Sequence, residues 1–165
     1  MKNYLVIGNP ISHSYSPQLH NYWFKKNNIS AVYNKEKLNV SDLENLIYRI
    51  KNLKVNGANV TVPFKKDVIP YMDELSLESK NTQSVNTICL NNNKIIGHNT
   101  DVEGFEVAIR ETKFDISGKT IFILGAGGVV PSIIYALNKM KVSEIIIANR
   151  TRNKTDMLKN LFNNI

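Results

Sequence analysis

The sequence predicts an α/β protein in two parts, on three observations. Short apolar runs alternate with stretches of helical periodicity. A pair of strands joined by an asparagine turn interrupts that alternation before the last third of the chain. A separate strand, glycine-rich loop, helix and strand then follow in the order of a βαβ unit.

Taken in order, the apolar run at residues 4–7 reads as a short buried strand stopped by Gly8-Asn9-Pro10. Ser16-Pro17 opens a helix, with Ser16 as the cap and Pro17 suited to the first turn. Leu19, Tyr22, Trp23 and Lys26 follow at helical spacing, Trp23 is assigned to the core, and Asn27-Asn28 ends the element. Residues 31–33 are a second strand. Ser41 and Glu44 have the spacing of a reciprocal cap, which starts a helix running to about residue 53. Residues 57–62 form a strand stopped by Pro63, and Phe64-Lys65-Lys66 begins a helical turn. Residues 85–90 and 94–98 form a hairpin through Asn91-Asn92-Asn93, because asparagine tolerates positive φ. Asp101 caps a helix carried by Phe105, Ala108 and Ile109. Residues 115–118 are a linker, residues 120–124 a buried parallel strand, and Gly125-Ala126-Gly127-Gly128 a tight loop opening a helix over 129–140. Residues 145–148 give the next strand, and Asn149-Arg150-Thr151 leads into a last helix.

The chain has 165 residues, enough for one domain or two small ones sharing a cleft. Hydrophobic residues at 42% and charged residues at 21% are ordinary globular usage, which excludes disorder, collagen and coiled coil. A net charge of +7 favours anionic partners without choosing among them. The lone Cys89 excludes an internal disulfide, and no ligand spacing suggests a metal; a reducing cytoplasm fits. No apolar run is long enough for a membrane span, and no leader pattern opens the chain.

Two groups of residues carry chemistry. The glycine loop Gly125 to Gly128 lies between a strand and a helix, where backbone can approach a pyrophosphate and the helix start supplies unsatisfied N–H groups. Val130 stands where such loops carry a third small residue, which alters the packing of helix on strand. The following strand ends in Asn149, Arg150 and Thr151, with Lys154 one turn on, rather than in the acidic residue that accepts a ribose 2′-hydroxyl. A guanidinium there suits a 2′-phosphate, so NADP is preferred over NAD. In the first half, Ser14, Ser16, Thr61, Lys65, Asn86 and Asp101 gather at strand ends. Hydroxyls can bind a carboxylate, Asn86 and Asp101 can fix ring hydroxyls, and the lysine can transfer a proton. Singly, Lys65 is an exposed lysine, Asp101 and Ser16 are helix caps, and Asn86 is a turn residue; their order and spacing make the case. His13, His20 and His98 read as hydrogen-bonded structural residues, and Cys89 as packing.

The motifs G-N-P-I-S-H-S-Y-S-P from Gly8, N-V-T-V-P-F-K from Asn59, V-N-T from Val85, N-T-D from Asn99, G-A-G-G from Gly125 and N-R-T from Asn149 stand in one order. In that order and spacing the chain resembles the shikimate dehydrogenase family from its first residue to its last. The resemblance implies reversible reduction of 3-dehydroshikimate to shikimate by NADPH. It implies a substrate-binding catalytic domain over residues 1–101 and the first part of a Rossmann-type NADP-binding domain over 102–165. Ser14 and Ser16 would hold the shikimate carboxylate, Thr61, Asn86 and Asp101 its hydroxyls, and Lys65 with Asp101 would be the catalytic pair. Gly125, Ala126, Gly127, Gly128, Asn149, Arg150, Thr151 and Lys154 would hold the cofactor.

The chain departs from the family by stopping at Ile165, before the further parallel strands that complete a doubly wound sheet. The expectation is a truncated domain, poorly active alone, with an exposed sheet edge. Two alternatives stand beside the enzyme: a catalytically incompetent fragment that keeps shikimate binding, and a basic nucleic-acid-binding domain. The second is weakened by dispersed lysines and the lack of any nucleic-acid motif. Monomer and homodimer both stay open.

Overall fold

The computed structural model describes residues 1–162 and is an α/β structure with a mixed sheet. The chain divides into two compact units: Met1–Ser76 with Val85–His98, and Leu77–Ser84 with Asn99–Ile165.

The first unit holds β1 (Lys2–Gly8), α1 (Ser16–Lys26), β2 (Ala31–Lys37), α2 (Leu43–Lys51), β3 (Gly57–Val60), β4 (Glu74–Leu75), β5 (Thr87–Asn91) and β6 (Lys94–His98). Its sheet runs β2-β1-β3-β5-β6-β4. β1 is parallel to β2 and β3, β5 is antiparallel to β3 and β6, and β4 is parallel to β6. Consequently the carboxyl ends of β1, β3 and β6 and the amino end of β5 share one sheet edge. α2 turns Leu43, Leu46, Ile47 and Ile50 inward, a three-four spacing that puts one apolar stripe against the sheet. These residues pack with Ile7, Phe64, Val68, Ile88 and Ile95 into the main core. The hairpin forms as the asparagine run predicts, with Asn92 at φ 47° and Asn93 at φ 63°.

Several expectations shift. Trp23 is 46% exposed and no residue of α1 is buried, because the helix is rotated about one position from the expected stripe. Pro17, His20, Asn21 and Phe24 face inward instead. The residue preceding α1 is Tyr15, so Ser16 is the first helical residue rather than the cap. The reciprocal cap lies two residues upstream of Ser41 and Glu44: the Asn39 N–H donates to Asp42 Oδ2 at 2.7 Å, ahead of a single turn of 3₁₀ helix, Val40–Asp42. β2 is longer than residues 31–33, and β3 stops at Val60.

The second unit holds α3 (Leu77–Thr82), α4 (Asp101–Glu111), β7 (Thr120–Leu124), α5 (Val130–Lys139), β8 (Glu144–Ala148) and α6 (Arg152–Leu161). β7 and β8 pair in parallel, and α5 connects them. Val130, Ile134, Leu137, Ile145, Leu158 and Phe162 form its core. Val130 is therefore a core residue: where such loops carry a third small residue, a buried side chain packs the helix, the altered packing that the sequence predicts. In α4 the buried positions are Val102 and Glu106, while Ala108 is exposed. The Glu106 carboxylate receives Lys139 Nζ at 2.6 Å and Arg110 Nη2 at 3.2 Å, which joins α4 to α5. β7 is not buried on both faces: Phe122 is 58% and Leu124 80% exposed, and Ile146 of β8 is open beside them. The nucleotide-type part is thus two parallel strands wide among the described residues. No helix of the described residues is long and apolar enough to cross a membrane.

Candidate active site

In the first unit, Ser14, Ser16, Thr61, Lys65 and Asn86 all lie on segments leaving or entering one sheet edge. Gly8 ends β1 where a side chain cannot fit: a Cβ there would sit 2.7 Å from Thr61 Cγ2 and 3.1 Å from the Val62 carbonyl oxygen. That clearance lets the loop after β1 run beside the loop after β3, and Asn9 N–H donates to Val62 O at 3.0 Å. Thr61 N–H donates to Ile7 O at 3.0 Å, continuing the β1–β3 pairing one residue past the strand. Ser14 and Ser16 are linked twice: Ser14 Oγ lies 3.1 Å from Ser16 Oγ and accepts the Ser16 N–H at 3.3 Å. With the Ser14 proton directed at its neighbour, the Ser16 hydroxyl proton can point to an anion.

Lys65 and Asn86 are tied through the backbone. Val85 N–H donates to Lys65 O at 2.8 Å, Asn86 N–H to His98 O at 2.9 Å, and Val60 N–H to Asn86 O at 2.8 Å. Asn86 is 8% exposed, and its Oδ1 accepts from Thr87 Oγ1 at 3.0 Å. Lys65 is half-buried. Asp101 belongs to the second unit, as the first residue of α4; Thr100 precedes it at the cap position, so Asp101 is not the cap. Asp101 N–H donates to Asn99 Oδ1 at 3.0 Å. Asn99 itself is buried, and its Nδ2 donates to Thr82 Oγ1 at 2.9 Å and Ser132 Oγ at 2.8 Å. All of this side-chain amide is used in holding α3, α4 and α5 together, so Asn99 fixes the place from which Asp101 departs.

The glycine loop is built from the same unit's backbone. Gly125 has φ 104°, a conformation glycine adopts without strain, and its N–H donates to Ala148 O at 2.8 Å. Ala126 N–H donates to Asn149 Oδ1 at 3.2 Å, and Asn149 Nδ2 donates to Thr151 O at 2.7 Å. Asn149 therefore braces the loop against the end of β8. A Cβ on Gly125 or Gly127 would meet no atom within 4 Å, so packing does not require glycine at 127. Open space above the loop, together with an α5 start that has no side-chain cap, fits a phosphate-bearing group. Arg150, Thr151 and Lys154 are exposed at the start of α6, on the adjoining strand end.

Sequence reasoning missed Asn99 as a brace, and it gave no role to Asn59, Thr87 or Tyr33. Polar side chains that serve one another inside a fold carry no periodic signal; only their packing reveals them. Cys89 lies half-buried on β5, where burial pushes its thiol pKa up and keeps it protonated. Among the described residues no group of His, Cys, Asp and Glu gathers to hold a metal ion.

Comparison with known proteins bears on both units. Residues 6–88 match the family model described as shikimate dehydrogenase substrate binding domain, and residues 106–165 match that described as shikimate / quinate 5-dehydrogenase. The shikimate dehydrogenase (NADP(+)) of Pelagibacter ubique is 53% identical over 161 residues, covering 98% of this chain and 61% of the relative. The crystal structure of shikimate dehydrogenase from Aquifex aeolicus superposes with a TM-score of 0.91 at 37% identity, over 99% of this chain and 61% of that one. The Thermus thermophilus shikimate 5-dehydrogenase in complex with NADP(H) and shikimate has a TM-score of 0.88 at 26% identity, over 99% of this chain and 61% of that one. The chain thus spans about three fifths of the length of the relatives it matches.

Proposed function

The chain belongs to the shikimate dehydrogenase family, and on that premise we propose that it serves the reversible, NADP-dependent reduction of 3-dehydroshikimate to shikimate. Its first unit supplies the substrate-binding face, and residues 102–165 supply the first part of the cofactor-binding domain. The observation that supports this reading is that the segments carrying Ser14, Ser16, Thr61, Lys65 and Asn86 all lie at one sheet edge, with Thr61 bonded to Ile7, Lys65 to Val85, and Asn86 to His98 and Val60 through the backbone. Like the related enzyme seen with NADP(H) and shikimate, the site then takes a small hydroxylated acid.

Ser16, with Ser14 behind it, donates to the substrate carboxylate; Thr61 and Asn86 hydrogen-bond ring oxygens and fix the ring's orientation. The bound NADPH supplies the hydride. As negative charge builds on the carbonyl oxygen, the Lys65 ammonium stabilises it and delivers the proton, and in the reverse direction the amine takes the proton back. Asp101 supplies a carboxylate that can accept from a substrate hydroxyl. The Gly125 to Gly128 loop holds the pyrophosphate, Asn149 keeps that loop in place, and Arg150 with Thr151 and Lys154 meets the 2′-phosphate. The net charge of +7 then serves anionic small molecules rather than nucleic acid, in a cytoplasmic setting that suits the lone thiol.

A second reading, shikimate binding without turnover, is favoured by the open β7–β8 face at Phe122, Leu124 and Ile146. Shikimate-dependent NADP reduction, followed by absorbance for this chain and for one extended to the relatives' length, separates the two. Turnover only in the longer chain supports the second. In whichever chain turns over, Lys65→Ala lowers kcat by roughly two to four orders of magnitude and changes shikimate binding far less. An unaltered rate removes Lys65 from the chemistry.

A further inference from the structure

A chain of partly buried hydrogen bonds runs from β2 across the sheet to Asn86, and every link has a defined direction. Tyr33 Oη lies 2.6 Å from Asn59 Oδ1, Asn59 Nδ2 lies 3.1 Å from Thr87 Oγ1, and Thr87 Oγ1 lies 3.0 Å from Asn86 Oδ1. A carbonyl-type oxygen cannot donate, so the Tyr33 hydroxyl donates to Asn59. The Asn59 amide donates in turn to Thr87, whose own proton is left for Asn86. Reversing the chain would require Asn59 to turn its oxygen toward the Asn86 backbone carbonyl, now 3.4 Å from Nδ2. Two oxygens that both only accept would then face each other at close range, so the observed direction is favoured on electrostatic grounds.

Both ends are held. Tyr33 is 2% exposed, its ring stacks on His20 at 4.2 Å with 6° between planes, and the Asn21 side chain hydrogen-bonds its backbone N–H and carbonyl at 2.9 Å and 2.8 Å. Burial pushes the Tyr33 hydroxyl up to about 12, so it remains a donor throughout the neutral range. At the other end, Asn86 backbone atoms are fixed by His98 and Val60.

The geometry points to Tyr33, Asn59 and Thr87 as positioning residues that lock the Asn86 amide with Oδ1 turned inward, so that this side chain recognises substrate through its Nδ2 N–H groups. The inference rests on the site assigned above. Its chemical consequence is a choice of polarity. Every oxygen of a hydroxylated acid and of its ketone accepts a hydrogen bond, whereas only the hydroxyls donate; an amide held as a donor serves both redox forms. A free-turning amide would present the wrong group part of the time and lose affinity for each.

The test uses the whole chain and Thr87→Val, which keeps shape and removes the hydroxyl. Side-chain amide NMR should show the Asn86 NH₂ group less ordered without any ligand, and shikimate affinity by calorimetry should fall roughly tenfold with little change in Tm. Thr87→Ser should restore both, and Thr87→Val should add nothing in an Asn86→Ala background. An Asn86 amide as ordered in Thr87→Val as in the parent overturns the inference, as does an equal loss of affinity in the Asn86→Ala background. If Thr87→Val does not fold, Tyr33→Phe, which keeps the ring and its stack on His20, decides instead: it should loosen the same amide, and an unchanged amide overturns the inference. Shikimate binding unaffected by Asn86→Ala alone sinks the site assignment, whereas the ligand-free amide measurement still judges the relay.

Discussion

His20 shows how a residue without chemistry of its own can still leave a pH signature. Its imidazole lies flat on Tyr33 and edge-on to Trp23, and burial holds its pKa below 6.5. The unfolded chain therefore binds this proton more readily than the folded one. Its contribution to stability is complete above about 6.5 and is lost as pH falls from there toward the depressed folded value. In His20→Phe, which keeps an aromatic ring against Tyr33, the plot of Tm against pH should flatten just below 6.5, as read by circular dichroism. An undiminished slope would assign the acid sensitivity to other groups. At this scale the sequence was partly legible. Lys65, Asn86 and the Ser14–Ser16 pair sit in short motifs, and each is at the sheet edge those motifs imply. Tyr33, Asn59 and Thr87 come from three separate strands, and no local pattern links them.

Among elements, legibility follows length and apolarity. β1, β7, β8 and the β5–β6 hairpin announce themselves by compact apolar runs and by the asparagines at positive φ. β4 has two residues, and α3 has six with Ser79 and Thr82 as its buried members, so neither offers a hydrophobic period to read. α1 was found but rotated, because its inward side is made of His20, Asn21 and Phe24 and carries no aliphatic stripe. The β7–α5 turn was the most readable of all, since Gly125 at φ 104° has few substitutes. Gly125→Ala meets no steric obstacle yet forces a side chain into a conformation it resists, so it costs about 1–2 kcal/mol of loop strain. That strain should displace Ala126 from Asn149 and weaken NADP binding several-fold, measured by titration, while shikimate binding is unmoved. Equal NADP affinity would detach the loop from the cofactor.

Each unit carries its own main core among the described residues, one around Ile7, Leu46, Ile50 and Phe64 and one around Ile134, Leu137 and Ile145. Its single tryptophan, Trp23, lies in the first unit. Ile134→Ala removes a fully buried side chain from the second core and should cost about 2–5 kcal/mol there. In urea, the circular dichroism midpoint should fall while the tryptophan fluorescence midpoint stays near that of the parent. Coincident shifts of both signals would mean that the two cores melt as one. This separation was legible only in outline, since Leu77–Ser84 precedes the hairpin in sequence yet belongs to the second unit.

The tie between Val85 and Lys65 has a practical corollary. It grips the main-chain oxygen of residue 65, an atom that every side chain placed there would still offer. Arginine, methionine or histidine placed there would inherit the same address, so the position is a socket: the frame stays put while the tool held in it is exchanged.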